Sequence, residues 1–120
     1  DVFVPCALGG VFDKPTVAAM KAKLVCGGAN NQLATPEIAG MLREHGITYV
    51  PDYVANAGGI ISVSAEYLGE SAASVASRVA QIGPRVTAIL EEAARRDISP
   101  ATAADETAER LIASAGRLAA

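Results

Sequence analysis

The chain has 120 residues, enough for one hydrophobic core and one domain. Hydrophobic residues make up 51%, Trp is absent, and the formal net charge is -3 with no cluster of Lys and Arg, so neither nucleic acid nor an anionic lipid surface is expected as a partner. No apolar run approaches the ~20 residues that span a bilayer and no secretory signal opens the chain, so no membrane association and a cytoplasmic, reducing compartment are expected.

Residues 2–5, Val-Phe-Val-Pro, read as a short strand buried on both faces, because the run is continuously apolar rather than alternating. The glycine-containing corner CALGG follows. Asp13 is placed to cap a short helix carrying Val17, Ala18 and Met20, with Lys21 and Lys23 near its C-terminus, where the helix dipole favours cations. Residues 24–26 read as a second buried strand running into GGANN. Cys6 and Cys26 match no metal-ligand spacing and read as reduced, semi-buried thiols; a disulfide between them would require the two strands to adjoin.

Thr35-Pro36-Glu37 has the form of a helix start: a capping hydroxyl, Pro at the first helical position and an acid in the first turn. Ile38, Met41 and Leu42 recur at helical spacing to form a buried face, and Gly46 is the expected C-terminal cap. His45, the only histidine, reads as a helix-end imidazole rather than a catalytic base. Residues 47–50 are the third strand. Three such strands joined by helices give a parallel three-stranded sheet with right-handed crossovers.

Pro51 then removes a ladder donor, Asn56 follows, and Gly58-Gly59 let backbone approach whatever lies above them. Asn56, with one acceptor and two donors, is placed to face a small polar ligand; the competing reading is a loop amide that serves neighbouring backbone. CALGG, GGANN and VANAGG each follow a strand. In an open α/β sheet, that carboxyl edge is where ligands bind, so the three corners are the candidate site.

Over residues 71–96, Val75, Val79, Ile82, Val86, Ile89, Leu90 and Ala93 keep a helical period, interrupted at Gly83-Pro84, which predicts a kink or two abutting helices. Ser99-Pro100 restarts a last helix with a small-residue face at Ala104, Ala108, Leu111, Ile112 and Ala115. These helices are expected to cover the sheet or to contact a neighbouring domain or subunit.

Taken together, DVFVPCALGG, CGGANNQL and ITYVPDYVANAGGIISVSAEYLG resemble the C-terminal part of the NAD-binding domain in the glutamate, leucine, phenylalanine and valine dehydrogenase family, nearest to the leucine and valine enzymes. The resemblance is dense over residues 1–69 and weaker across the helical tail. It implies an α/β fold: the second half of a Rossmann-type doubly wound sheet, with three mainly parallel strands and helices, over residues 1–61, then C-terminal helices over 62–120. It also implies NAD-dependent oxidative deamination of a branched-chain L-amino acid to the 2-oxo acid and ammonia, in a homo-oligomer. By similarity, Ala7 and Leu8 line the cofactor near its ribose and nicotinamide, and Asn30 and Asn56 contact the nicotinamide ribose and carboxamide. Asn31 matches the position near the substrate α-carboxylate, and Ile60 and Val63 match positions that wall the substrate side chain.

Bulky Ile60 is expected to favour an aliphatic side chain over an aromatic ring, and the apolar pair argues against the acidic side chain of a glutamate enzyme. No G-x-G-x-x-G and no ribose-binding acid after a strand are present. The choice between NAD and NADP, set by that acid in the family, is therefore not written in these residues. The family's two active-site lysines and its catalytic Asp lie in a separate N-terminal domain, and Lys14, Lys21 and Lys23 do not match them. Hence no catalytic acid or base and no metal ligand is assigned, and a missing N-terminal catalytic region is an expected partner. Asp1 leading straight into a strand fits a segment of a longer chain. The alternative is a truncated, non-catalytic α/β module acting in oligomerisation or protein interaction.

Overall fold

The structure, a computed structural model, describes residues 1–118. Phe12, Val17, Val25, Ile38, Leu42, Ile47 and Tyr49 close into one buried cluster, and the first half of the chain is arranged so that each can reach it. Strands β1 (Val2–Phe3), β2 (Leu24–Val25) and β3 (Thr48–Tyr49) lie side by side in that order, all parallel, with Val2 opposite Leu24 and Leu24 opposite Thr48. Parallel neighbours need crossovers, which α1 (Lys14–Ala19) and α2 (Ile38–Glu44) supply. Asp13 caps α1 as expected, accepting the Thr16 N–H at 2.9 Å. The left-handed backbone expected after α2 falls at Gly46, φ 69°.

Four local expectations need correction. β1 is not buried: Val2, Phe3 and Val4 are 55%, 41% and 58% exposed, because β1 is the sheet's edge and only the Phe3 ring reaches the core, edge-on to Phe12 at 5.7 Å. Lys21 and Lys23 lie beyond α1, which stops at Ala19, so they do not serve its C-terminus. Thr35-Pro36-Glu37 forms a tight turn in which the Ile38 and Ala39 N–H groups donate to the Thr35 and Pro36 carbonyls, so α2 begins after it, without a side-chain cap. The Thr35 hydroxyl turns to Glu37 instead and holds its carboxyl below the usual range. Finally, both thiols are free, as the sequence reading has them, but only Cys26 is half-buried and Cys6 is exposed; they lie just past β2 and β1, where the register that pairs Val2 with Leu24 sets Cys6 opposite Gly28 rather than Cys26.

The second half is helical: α3 (Asp52–Ala55), α4 (Gly58–Leu68), α5 (Ala72–Ala80), α6 (Ile82–Arg96) and α7 (Pro100–Leu118). The interruption expected at Gly83-Pro84 is a break between two abutting helices at Gln81. Pro84 then sits in the first turn of α6, where its missing N–H costs no helix bond. Ser99 caps α7, its hydroxyl accepting the Thr102 N–H at 3.1 Å. Ile89 and Ala93 of α6 meet Ala103 and Ala104 of α7 in a second buried cluster, joined by Val54 of α3 and by Ile98. Since α7 also packs on β3, this cluster fastens the helices to the sheet. The expected α7 face is covered only near its start: Ala104 is buried, whereas Ala108, Leu111, Ile112 and Ala115 are exposed.

Candidate functional site

All three strands end toward one edge, and the backbone there is tied corner to corner. The Ala29 N–H donates to the Pro5 carbonyl at 2.9 Å, and the Gly10 N–H to the Asn31 carbonyl at 2.7 Å. A further pairing of Phe12 with Leu33 continues this stitching past the strands, with the Phe12 N–H on the Gln32 carbonyl and the Ala34 N–H on the Phe12 carbonyl. The approach is close enough to demand glycine. A Cβ on Gly9 would lie 2.6 Å from the Asn30 carbonyl oxygen, and one on Gly27 would lie 2.2 Å from that of Pro5. Gly58 and Gly59, expected to be the sites of close approach, have nothing within 4 Å of such a Cβ; they open α4 beside free space.

The second and third corners meet through side chains. Asn56 Nδ2 donates to Asn30 Oδ1 at 2.6 Å and reaches the Gly28 carbonyl at 3.4 Å. Because Nδ2 of Asn56 is used this way, Asn56 Oδ1 and Asn30 Nδ2 are left, among the described residues, as one acceptor and one donor with no hydrogen bond. Asn31 adopts a left-handed conformation, φ 52°, so its carbonyl serves Gly10 while the residue lines a neighbouring cavity rather than joining the Asn30–Asn56 pair. In the first corner Ala7 is exposed and Leu8 is 82% exposed. Ile60 and Val63, 68% and 63% exposed, stand three residues apart on α4, and Tyr67, four residues further, continues the same open face.

Two buried polar residues that the sequence reading did not assign hold this rim. Gln32, fully buried, donates from Nε2 to the Gly27 carbonyl at 3.0 Å and to that of Ala29 at 2.8 Å, bracing the second corner from inside. Asp52, 6% exposed, accepts the Gln32 N–H at 3.1 Å on one oxygen and the Tyr53 N–H at 2.8 Å on the other. Its own N–H donates to the Tyr49 hydroxyl at 3.3 Å, and burial pushes that phenol up to about 12. The only signals in the sequence were Gln32 at the end of ANNQ and an acid directly after Pro51. Among the described residues no cluster of three or more His, Cys, Asp or Glu side chains could hold a metal ion, and no helix is long and apolar enough to cross a membrane.

A parallel sheet whose carboxyl-edge corners are laced into one rim, with an amide donor, an amide acceptor and exposed apolar side chains beside it, defines an open α/β protein, the class of fold in which that edge is where ligands bind. The family model described as Glutamate/Leucine/Phenylalanine/Valine dehydrogenase matches residues 1–119, and the chain belongs to that family. It is 45% identical over 115 residues to a valine dehydrogenase of Streptomyces albus, a match covering 96% of this chain and 32% of the relative. It is 40% identical over 112 residues to a leucine dehydrogenase of Geobacillus stearothermophilus, covering 93% and 30%. Among solved structures, the L-tryptophan dehydrogenase of Nostoc punctiforme superposes with a TM-score of 0.91 at 38% identity, over 98% of this chain and 36% of that one. The chain thus spans about a third of the length of the relatives it matches. Oxidoreduction of amino acids is the chemistry their names share.

Proposed function

We propose that this chain supplies the nicotinamide end of the cofactor site, and one wall of the side-chain pocket, in an NAD-dependent dehydrogenase that deaminates a branched-chain L-amino acid to its 2-oxo acid and ammonia. The observation that carries the reading is the contact of Asn56 with Asn30 at 2.6 Å on a rim to which the first corner is also tied. The residues fit a carboxamide-bearing ring: the free amide oxygen and free amide N–H complement a carboxamide, and exposed Leu8 and Ala7 offer an apolar surface for a flat face.

Bound NAD supplies a hydride acceptor for the substrate α-carbon. The chain's own part is orientation: Asn30 and Asn56 fix the ring's rotation and its ribose, and Ala7 and Leu8 restrict its approach. Asn31 is read as a neutral hydrogen-bond donor to the substrate α-carboxylate, adding no charge to a site that also holds an amine. Proton transfer is left to other groups, since none of the residues given a role here is an acid or a base.

Ile60 and Val63 are read as the wall against an aliphatic side chain. The valine and leucine dehydrogenases among the relatives support an aliphatic choice, and the L-tryptophan dehydrogenase named among the structures supports reading specificity from side chains of the pocket rather than from the fold. The test is Asn56→Ala in the complete protein that carries this chain. NAD affinity and turnover should each fall by about tenfold or more, equivalent to ~1.4 kcal/mol. Wild-type values for both would overturn the assignment. Valine, leucine and isoleucine should exceed phenylalanine in kcat/KM, and Ile60→Ala should narrow the gap by about tenfold.

A further inference from the structure

Asn30 and Asn56 come from different corners, and the last ladder bond between their strands, from the Val50 N–H to the Val25 carbonyl at 2.9 Å, lies several residues before either. A bond between two solvent-accessible amides cannot fix such loops by itself, since water serves each amide nearly as well. Their spacing is set elsewhere.

The helix α3 is the fixed side. Val54 packs into the second buried cluster, and the Tyr53 hydroxyl donates to Asp105 of α7 at 2.6 Å. Asn56, at the end of α3, is held to that helix by its N–H on the Asp52 carbonyl at 2.8 Å. The second corner has its own brace in Gln32, whose side chain spans the Gly27 and Ala29 carbonyls just ahead of Asn30. Asp52 joins the two halves. One carboxylate oxygen accepts the Gln32 N–H of the second corner at 3.1 Å, and the other accepts the Tyr53 N–H of α3 at 2.8 Å. Among the described residues, no side chain of the third corner other than Asn56 itself makes a further hydrogen bond to the second. A carboxylate suits this place because it only accepts and both N–H groups face it; an amide of the same shape would set a donor against one of them. Burial keeps water from replacing either bond, Asp52 being 6% exposed.

We infer that Asp52 is a positioning residue for the cofactor: its carboxylate holds the second corner against α3, which presets the spacing of the Asn30 and Asn56 amides and so the gap that receives the nicotinamide ribose and carboxamide. The inference rests on the proposed dehydrogenase reading and adds to it a residue to which that reading gives contact with neither NAD nor amino acid. Its effect passes through the amide pair, so it belongs to binding and orientation rather than to proton transfer.

The experiment measures NAD affinity and kcat in the complete protein that carries this chain, for Asp52→Asn, for Asn56→Ala and for the two together. Asp52→Asn keeps the shape but turns a donor toward Gln32 or Tyr53; Asp52→Ser, the second variant, removes the bridge without that conflict. Each Asp52 variant should weaken NAD binding by about fivefold and lower kcat. In an Asn56→Ala background the same change should cost less than about twofold, because the pair it serves is already broken. Ser99→Ala, at a helix cap with no hydrogen bond to either corner, is the control for lost stability and should leave NAD affinity unchanged. Wild-type NAD affinity in both Asp52 variants, losses that multiply in the double variant, or loss of the fold in both would each overturn the positioning role. With Asn56→Ala impaired, any of these leaves the dehydrogenase reading standing; wild-type behaviour of Asn56→Ala overturns that reading and the role of Asp52 with it.

Discussion

Gly27 and Gly9 show what a glycine motif means once the backbone is known. Their added Cβ atoms would collide with main-chain oxygens of the adjoining corner, and backbone cannot step aside as a flexible side chain could. Gly27→Ala should therefore cost ~1–3 kcal/mol or more, read as a lower urea midpoint. Gly58→Ala, with open space around it in the first turn of α4, should be neutral or stabilise by up to ~1 kcal/mol. The glycine pairs were legible in the sequence, but which of them make close approaches was not, because that depends on the distance between two corners far apart in the chain, Gly9 against Asn30 and Gly27 against Pro5. Gln32 and Asp52 were hidden for the same reason: a buried amide and carboxylate pairing across 20 residues leave no periodicity. Tyr49 adds a pH signature. Its phenol is raised from 10.0 to about 12, chiefly by burial, so the folded state keeps a proton that the unfolded state loses. The stabilisation this represents is complete below pH about 10 and declines as pH rises toward 12. Tyr49→Phe should flatten that decline in a pH series of urea melts, at the cost of ~0.5–1.5 kcal/mol for the lost acceptor of the Asp52 N–H.

Elements with their own start and stop signals were readable one by one. Asp13, Gly46 and Ser99 act locally, through a side chain or a left-handed turn within a few residues, and each stands where the sequence put it. Thr35-Pro36-Glu37 failed as a helix start because it closes on itself as a tight turn, the Thr35 and Pro36 carbonyls accepting the Ile38 and Ala39 N–H groups. Burial was the less legible property. The apolar run of β1 and the period of Val75 and Val79 both describe faces that need cover, and neither finds it here: α5 has no buried residue, and Val79 is 39% exposed. Amides of α5 should accordingly exchange hydrogen faster than those of α6, whose Ile89 and Ala93 are locked into the α7 cluster. At the start of α7, Ser99→Ala should destabilise by ~0.5–2 kcal/mol through loss of the cap, measurable as a fall in the thermal midpoint.

The whole molecule is looser than its length calls for. A compact domain of this size has a radius of gyration of about 14 Å, whereas this chain has 15.6 Å, with extents of 46 × 30 × 22 Å. Little of α4, nothing of α5 and nothing described in the distal part of α7 is buried. The uncovered surfaces are also chemically alike: the β1 edge with Val2, Phe3 and Val4, the α4 face with Ile60, Val63 and Tyr67, and Leu111 and Ile112 of α7. A parallel strand with an apolar sequence at an open edge offers both unpaired backbone groups and hydrophobic side chains to another chain. Relatives about three times as long contain enough additional chain to cover such faces, and a homo-oligomer would cover more. It follows that the 120-residue chain by itself should associate through the β1 edge, its mass in sedimentation velocity rising with concentration. Val4→Lys places a charge beside that edge without touching either core cluster. The variant should shift the distribution toward monomer at unchanged urea stability. In a protein of the relatives' length the same residues should instead be protected from hydrogen exchange and Val4→Lys should destabilise. A monomer at every concentration, or equal association by the variant, would mean that β1 is content at the edge and that its apolar sequence serves some other contact.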